Sequence, residues 1–248
     1  MKLLKRIVSI LDRFSNHRTS LSLGELVQET GLPKPTVYRL CEALVEEGML
    51  IKRDDGRYVL GTKLLGYGAI ALTSNEIRRI AAPEIQELHA ITRETVHLGI
   101  LSDKEIISIE ALESPHGLRA TRWVGQRAPL HSTAVGKALL AFLPHSERER
   151  LIEELELRRY TENTITSREK LQKELDEIRS RGYAIDNMEN EEGVRCVAAP
   201  IFGLNGRIVA SISISGPAFR LTSQRLQEYA SLVMDAAKKI SRKMQMSI

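Results

Sequence analysis

Apolar positions recur every three to four residues over most of the chain and every two residues through its middle. Leu3, Leu4, Ile7, Val8, Leu11 and Phe14 keep the first spacing and predict an amphipathic helix over residues 3–14. Residues 16–20 read as a loop. Ser22 and Glu25 then form a capping-box pair ahead of Leu26 and Val27, and Gly31 ends that helix as a left-handed cap. Pro35, suited to the first helical turn, opens the next helix. There Val37, Leu40, Cys41, Leu44 and Val45 form a buried stripe, while Thr36, Tyr38, Arg39 and Glu42 face the other way. Two short apolar runs around Asp55-Gly56 predict a β-hairpin.

A helical pattern runs through residues 64–72, breaks at 73–75 and resumes at 76–80. Pro83 suits the first turn of a further helix carrying Ile85, Leu88 and Ile91. The period then shifts toward two. Residues 95–101 and 106–112 read as paired strands around Ser102-Asp103, with a fainter strand pattern at 118–123. Helices follow at 132–142, 146–155 and 167–181, the second with its own capping box, Ser146 to Glu149. A hairpin joins 195–202 to 208–215 through Asn205-Gly206, and an amphipathic helix fills 223–244. Strands enclosed by helices without regular βαβ alternation indicate an α+β fold with a mostly antiparallel sheet. The domains expected are 1–63, a linker helix over 64–82, and 83–248.

Composition narrows the class. With 42% hydrophobic and 27% charged residues, the chain is neither disordered nor fibrous. Cys41 and Cys196 are too few for a disulfide framework, and a reducing cytoplasm is expected. No stretch reaches the ~18 apolar residues of a membrane span, and Asp12 and Arg13 interrupt the N-terminal apolar run too early for a signal peptide. Charge is uneven: residues 1–63 carry +3 and the remaining 185 carry +1. Three helices followed by a hairpin bearing Lys52, Arg53 and Arg57 read as a winged helix-turn-helix. Lys34, Thr36, Tyr38 and Arg39 then lie where base edges are met, and the wing cations suit phosphates, so double-stranded DNA is the expected partner. Tyr38 as surface cover and Cys41 as core are the plainer readings of those two side chains.

Five motifs, in order behind that winged helix, carry a family resemblance: LPKPTVYRL (32–40), PLHSTAVGKA (129–138), RGYAID (181–186), GVRCVAAPIF (193–202) and SISISGP (211–217). Over essentially its whole length the chain resembles the IclR family of bacterial transcriptional regulators. The resemblance implies a DNA-binding domain, a linker helix and a GAF-like effector domain. It implies dimers, often tetramers, that bind palindromic operators and control catabolic operons in answer to a small metabolite. It places the effector site at Ala134, Val135, Asp186, Cys196, Ser213 and Ser215. An organic acid suits these residues: Ser213 and Ser215 share a strand face, and backbone N–H groups at Ala134 and Val135 begin a helix. Where relatives line the mouth with larger apolar residues, this chain has Gly117, Ala120 and Ala128, which implies a roomier pocket.

Three rival readings stand beside it. Cys196, Asp186 and either His97 or His131 are the residue types of a thiol enzyme, but Cys196 lies mid-strand rather than at a helix N-terminus. No catalytic residue is assigned and an enzyme is not expected. Asp186, Cys196 and His97 are donor types that suit zinc, without any short paired spacing such as Cys-x-x-Cys. No cofactor is expected beyond that possibility. A protein-docking role for the three-helix unit is opposed by its basic wing.

Overall fold

The computed structural model describes residues 2–16 and 18–246; His17, within the loop expected at 16–20, lies outside them. The chain divides into two compact units, at Ser74 and Asn75. Residues 76–82, expected in the linker, therefore belong to the second unit.

In the first unit, α1 (Lys2–Leu11), α2 (Leu23–Thr30) and α3 (Lys34–Glu46) precede a sheet, and α4 (Thr62–Thr73) follows it. The α2 N-terminus carries the full capping box, with Ser22 accepting from the Glu25 N–H and Glu25 accepting from the Ser22 N–H. Gly31 ends α2 at φ +64°, a conformation that costs an L side chain its Cβ clearance. Helix α1 stops at Leu11, earlier than its apolar spacing implied. Arg13 and Phe14 turn back through i→i−3 bonds, yet Phe14 still packs on the core. That core is Ile10, Leu21, Leu26, Val37, Leu40, Cys41, Leu44, Leu50 and Tyr58. The wing, β2 (Leu50–Lys52) and β3 (Tyr58–Leu60), gains a third strand that the pattern did not predict. This is β1 (Ser20–Leu21), pairing Leu21 with Tyr58. Two residues are too short to display a period.

The second unit is a six-stranded antiparallel sheet with helices on both faces. Its strands are β4 (Thr95–Ser102), β5 (Glu105–Leu112), β6 (Arg127–Pro129), β7 (Ala184–Asn187), β8 (Val194–Phe202) and β9 (Ile208–Pro217). They lie in the order β6-β5-β4-β9-β8-β7. Alternation divides the side chains. Val96, Leu98, Val197, Ile212 and Ile214 join a core with α5 (Glu76–Thr92) and α9 (Ser223–Met246). Cys196 and Ala198 face a second core with α6 (Ala134–Phe142), α7 (His145–Glu154) and α8 (Arg168–Arg181).

Three expectations are corrected here. Pro83 lies inside α5, which runs unbroken from its Asn75 cap because Ile77, Ile80, Ala81, Ile85 and Leu88 all pack on one core. Ser146 does not cap α7; the helix starts at His145, behind Pro144, with no side-chain cap. Residues 118–123 form no strand. They belong to an irregular segment pinned to β4 and β5 where Thr95 Oγ1 donates to the Ala120 carbonyl (2.6 Å) and Gly125 N to the Ser108 carbonyl (2.7 Å).

Candidate functional sites: a helix-and-wing face and a buried polar row

The DNA-reading face expected from sequence assembles on α3 and β2. Lys34, Tyr38 and Arg39 are exposed at the N-terminal half of α3 and Thr36 is half-buried, while Val37, Leu40, Cys41 and Leu44 point into the core. Lys34, Arg39 and Arg53 form no side-chain hydrogen bond or ion pair among the described residues, so their charge is free for a partner. Lys52 is more constrained. Its ammonium bonds Glu42 on α3 (3.0 Å) and lies 5.6 Å from the ring centres of both Tyr38 and Tyr58, and Tyr58 also donates to Glu42 (3.0 Å). This knot joins recognition helix to wing. The hydrogen bond to Glu42 holds the Lys52 ammonium above its ordinary pKa, and those from Lys52 and Tyr58 hold Glu42 below its own. Arg57 is a strut. Its guanidinium donates to the Ser20 hydroxyl (3.0 Å) and carbonyl (2.8 Å) and pairs with Glu25 (3.0 Å), tying β3 to β1 and α2. Burial pushes the Cys41 thiol up to about 11, as befits a core residue.

The expected effector residues also converge, all of them buried. Strand register places Asp186 opposite Cys196, Cys196 opposite Ser215, and Ser215 opposite Thr95, so four polar residues form one row across β7, β8, β9 and β4. One step along, Ser213 faces His97. Helix α6 crosses this face closely. A Cβ on Gly99 of β4 would come within 2.8 Å of Val135 Cγ1, so glycine is what admits the helix. Thr133 caps α6 by accepting from the Gly136 N–H, and its carbonyl accepts from Lys137, leaving the N–H groups of Ala134 and Val135 without helical acceptors.

The two serines differ. Ser213 Oγ shares a 2.7 Å hydrogen bond with His97 Nδ1. Ser215 Oγ is buried without an oxygen or nitrogen partner, beside the Cys196 thiol. Burial, with the Arg122 charge nearby, drives His97 down to about 3, so the ring is neutral. Burial pushes Asp186 up to about 7, reinforced by Glu189, even though the Glu189 N–H (2.7 Å) and Asn190 N–H (3.4 Å) donate to its Oδ1. Its turn is fixed from α6: Lys137, fully buried, pairs with Glu189 at 2.6 Å, and Ser132 donates to Asn190.

Cys196 and Asp186 are cross-strand neighbours, but neither histidine bonds the thiol. Burial and Asp186 push Cys196 up to about 12, keeping it protonated; His97 bonds Ser213 instead, and His131 bonds the Arg158 carbonyl (3.0 Å). Among the described residues no three of His, Cys, Asp and Glu are grouped to hold a metal ion. Of the three small residues expected at the mouth, Gly117 is exposed, Ala120 is buried with its carbonyl on Thr95, and Ala128 packs in the α6 core. Sequence reasoning missed Arg122, a buried cation in the segment before β6, and the Lys137–Glu189 pair. An irregular segment has no period to reveal burial, and the pair spans 52 residues.

Comparison with known proteins agrees with this architecture. The model of the IclR helix-turn-helix domain matches residues 3–54, and that of the bacterial transcriptional regulator IclR C-terminal matches residues 69–242. The HTH-type transcriptional regulator KdgR of Escherichia coli is 39% identical over 240 residues, covering 96% of this chain and 91% of that relative. The transcriptional repressor IclR of E. coli is 33% identical, covering 96% and 88%. Among solved structures, Thermotoga maritima IclR superposes with a TM-score of 0.76 at 37% identity, covering 98% of this chain and 99% of that one. An IclR homologue from Microbacterium hydrocarbonoxydans, complexed with 4-hydroxybenzoate, gives 0.82 at 25% identity, covering 98% and 99%. With both of its units matched in order, the chain belongs to the IclR family of bacterial DNA-binding transcriptional regulators.

Proposed function

We propose that this regulator is a cytoplasmic repressor of a catabolic operon, binding a palindromic operator as a dimer or tetramer and responding to a small organic acid held in its second unit. Base reading falls to Lys34, Thr36, Tyr38 and Arg39, and phosphate contact to Arg53 with Lys52. Arg57 supports the wing from within. Helix α4 supports self-association: none of its residues is buried, and Leu65 and Ile70 are 73% and 68% exposed. An apolar helix of that kind calls for a second surface.

The observation that carries the effector reading is the buried, unpartnered hydroxyl of Ser215 on the face crossed by α6. A buried polar group without a partner costs roughly 1–3 kcal/mol, which a ligand acceptor removes. A carboxylate there meets Ser215 and the free N–H groups of Ala134 and Val135 at the positive end of a helix. Asp186, poised near neutrality, takes a hydroxyl at the other end of the row. The 4-hydroxybenzoate bound by the Microbacterium homologue has both groups, a carboxylate and a hydroxyl. The decisive measurement is calorimetry of the acid with and without operator DNA selected from the genome. Linkage requires the acid to change operator affinity, and operator to change acid affinity, by the same factor. Equal acid affinity in the two titrations rejects the sensor role and leaves DNA binding intact.

A further inference from the structure

We propose that Arg122 is the residue by which this site selects an acid over a neutral ligand, its guanidinium pairing with the effector carboxylate. The inference rests on the effector reading above and adds the group that reads ligand charge.

Arg122 is 9% exposed, yet among the described residues its one side-chain bond is from Nη1 to the neighbouring Thr121 carbonyl (3.2 Å), and no Asp or Glu pairs with it. A guanidinium offers five N–H donors, so most of this fork is unused. No counter-ion holds the guanidinium, and none of its nitrogens is sealed off without a partner, so the fork remains open to an incoming acceptor. The other buried cations of this unit are used: Lys137 pairs with Glu189, and Arg148 bonds Glu149 and His145.

Its position is set by the polar row itself. Thr95 Oγ1 holds the carbonyl of Ala120, two residues before Arg122, and Thr95 faces Ser215 across the β4–β9 ladder. From there the Arg122 charge acts on both His97 and Cys196. Those two groups are neutral and give it no counter-charge. Asp186, the acid of the row, stands three strands from Thr95 and is tied to the Glu189–Asn190 turn. Most of the Arg122 fork, the Ser215 hydroxyl and the first α6 N–H groups are thus donors without an oxygen acceptor, and Arg122 follows a segment tied to the row at Thr95. An ionised carboxylate satisfies them together; its primary amide, which is neutral and adds donors, does not.

The test uses the full chain and isosteric probe pairs: acetate with acetamide, and glycerate with glyceramide. Binding is followed by calorimetry and thermal shift for wild type, Arg122→Gln, Arg122→Lys and Ser215→Ala. Wild type should bind each acid ~10–100-fold more tightly than its amide, the range in which a buried charge pair discriminates. Arg122→Gln should remove most of that preference while leaving the amides nearly unchanged, and Arg122→Lys should restore part of it. The ligand-free Arg122→Gln protein should melt close to the wild-type temperature, because the side chain makes a single hydrogen bond, to the neighbouring Thr121 carbonyl. A lower Tm means that Arg122 is structural and overturns the proposal. Acid binding unchanged in Arg122→Gln but lost in Ser215→Ala also overturns it, with the effector site standing. Failure of all four probes to bind folded wild type overturns the effector reading, and this inference with it.

Discussion

Ser213 and His97 face each other across β9 and β4 and share a hydrogen bond of 2.7 Å, leaving Ser215, two residues along the same strand face, as the serine without an oxygen or nitrogen partner. Two side chains that look equivalent by their i, i+2 spacing therefore have different work. One orients a neutral imidazole beneath α6, and the other lies buried without an oxygen or nitrogen partner.

The pair predicts opposite stability effects. Ser213→Ala strands His97 Nδ1 in the core and should cost about 1–3 kcal/mol, whereas Ser215→Ala removes an unsatisfied group and should be neutral or slightly stabilising. Ser215→Ala should still raise the dissociation constant of the acid effector roughly 5–150-fold, equivalent to about 1–3 kcal/mol, with ligand-free operator affinity near wild type. Denaturation midpoints and calorimetry on the two variants check this. Equal destabilisation by both refutes the division of roles.

On the DNA side, Arg39→Ala should weaken operator binding by about 1–3 kcal/mol if it pairs with a base edge, with little change for random DNA. Arg53→Ala should lower affinity for all sequences and flatten the salt dependence. Arg57→Ala should first destabilise the winged unit, since three acceptors from β1 and α2 lose their donor. Binding titrations at several salt concentrations, paired with melting curves, separate the three. An Arg57→Ala protein of wild-type stability with a uniform affinity loss would reassign it to phosphate contact.

Asp186 makes stability depend on pH. Its carboxyl is raised from 3.8 to about 7 in the folded chain, so the folded state holds a proton that the unfolded state releases. Its contribution is fully present below the unfolded value and is lost as pH rises through about 7. Glu189, also raised by burial, acts in the same sense, while Lys137 opposes both. The Tm of Asp186→Asn should accordingly fall less than that of wild type between pH 4 and 7 (a range set by those two values). Parallel curves for the two proteins would show that Asp186 is ionised throughout.

Helix α4 should carry the subunit contact. Leu65→Glu combined with Ile70→Glu alters side chains that are mostly exposed within the chain, so neither unit should lose much stability. Sedimentation should instead show a shift toward monomer, with operator affinity falling as one half-site is lost. Unchanged sedimentation places the contact elsewhere.

Most of what depends on neighbours in the chain was legible from residue order, the Ser146–Glu149 box, displaced by Pro144, being an exception. The Ser22–Glu25 box, the Gly31 cap, the Asp55-Gly56 and Asn205-Gly206 turns and the strand periods of β4, β5, β8 and β9 rest on interactions within a few residues, and each took its expected place. The winged helix and the α+β class followed, and five motifs located the row of Asp186, Cys196 and Ser215. What composition and spacing left open was decided by burial and by partners distant in the chain. Pro83 stays helical because a core formed with α9 and the sheet outweighs the hydrogen bond it forfeits. Arg57 becomes a strut through Ser20, 37 residues away, and Ser213 is occupied by His97, 116 residues away. Arg122 is a surface residue by type and a buried cation by position, because folding closes an irregular segment over the sheet. Local propensity acts through a turn or two of backbone, whereas the charge and hydrogen-bonding state of a buried group is set by whatever the fold brings against it.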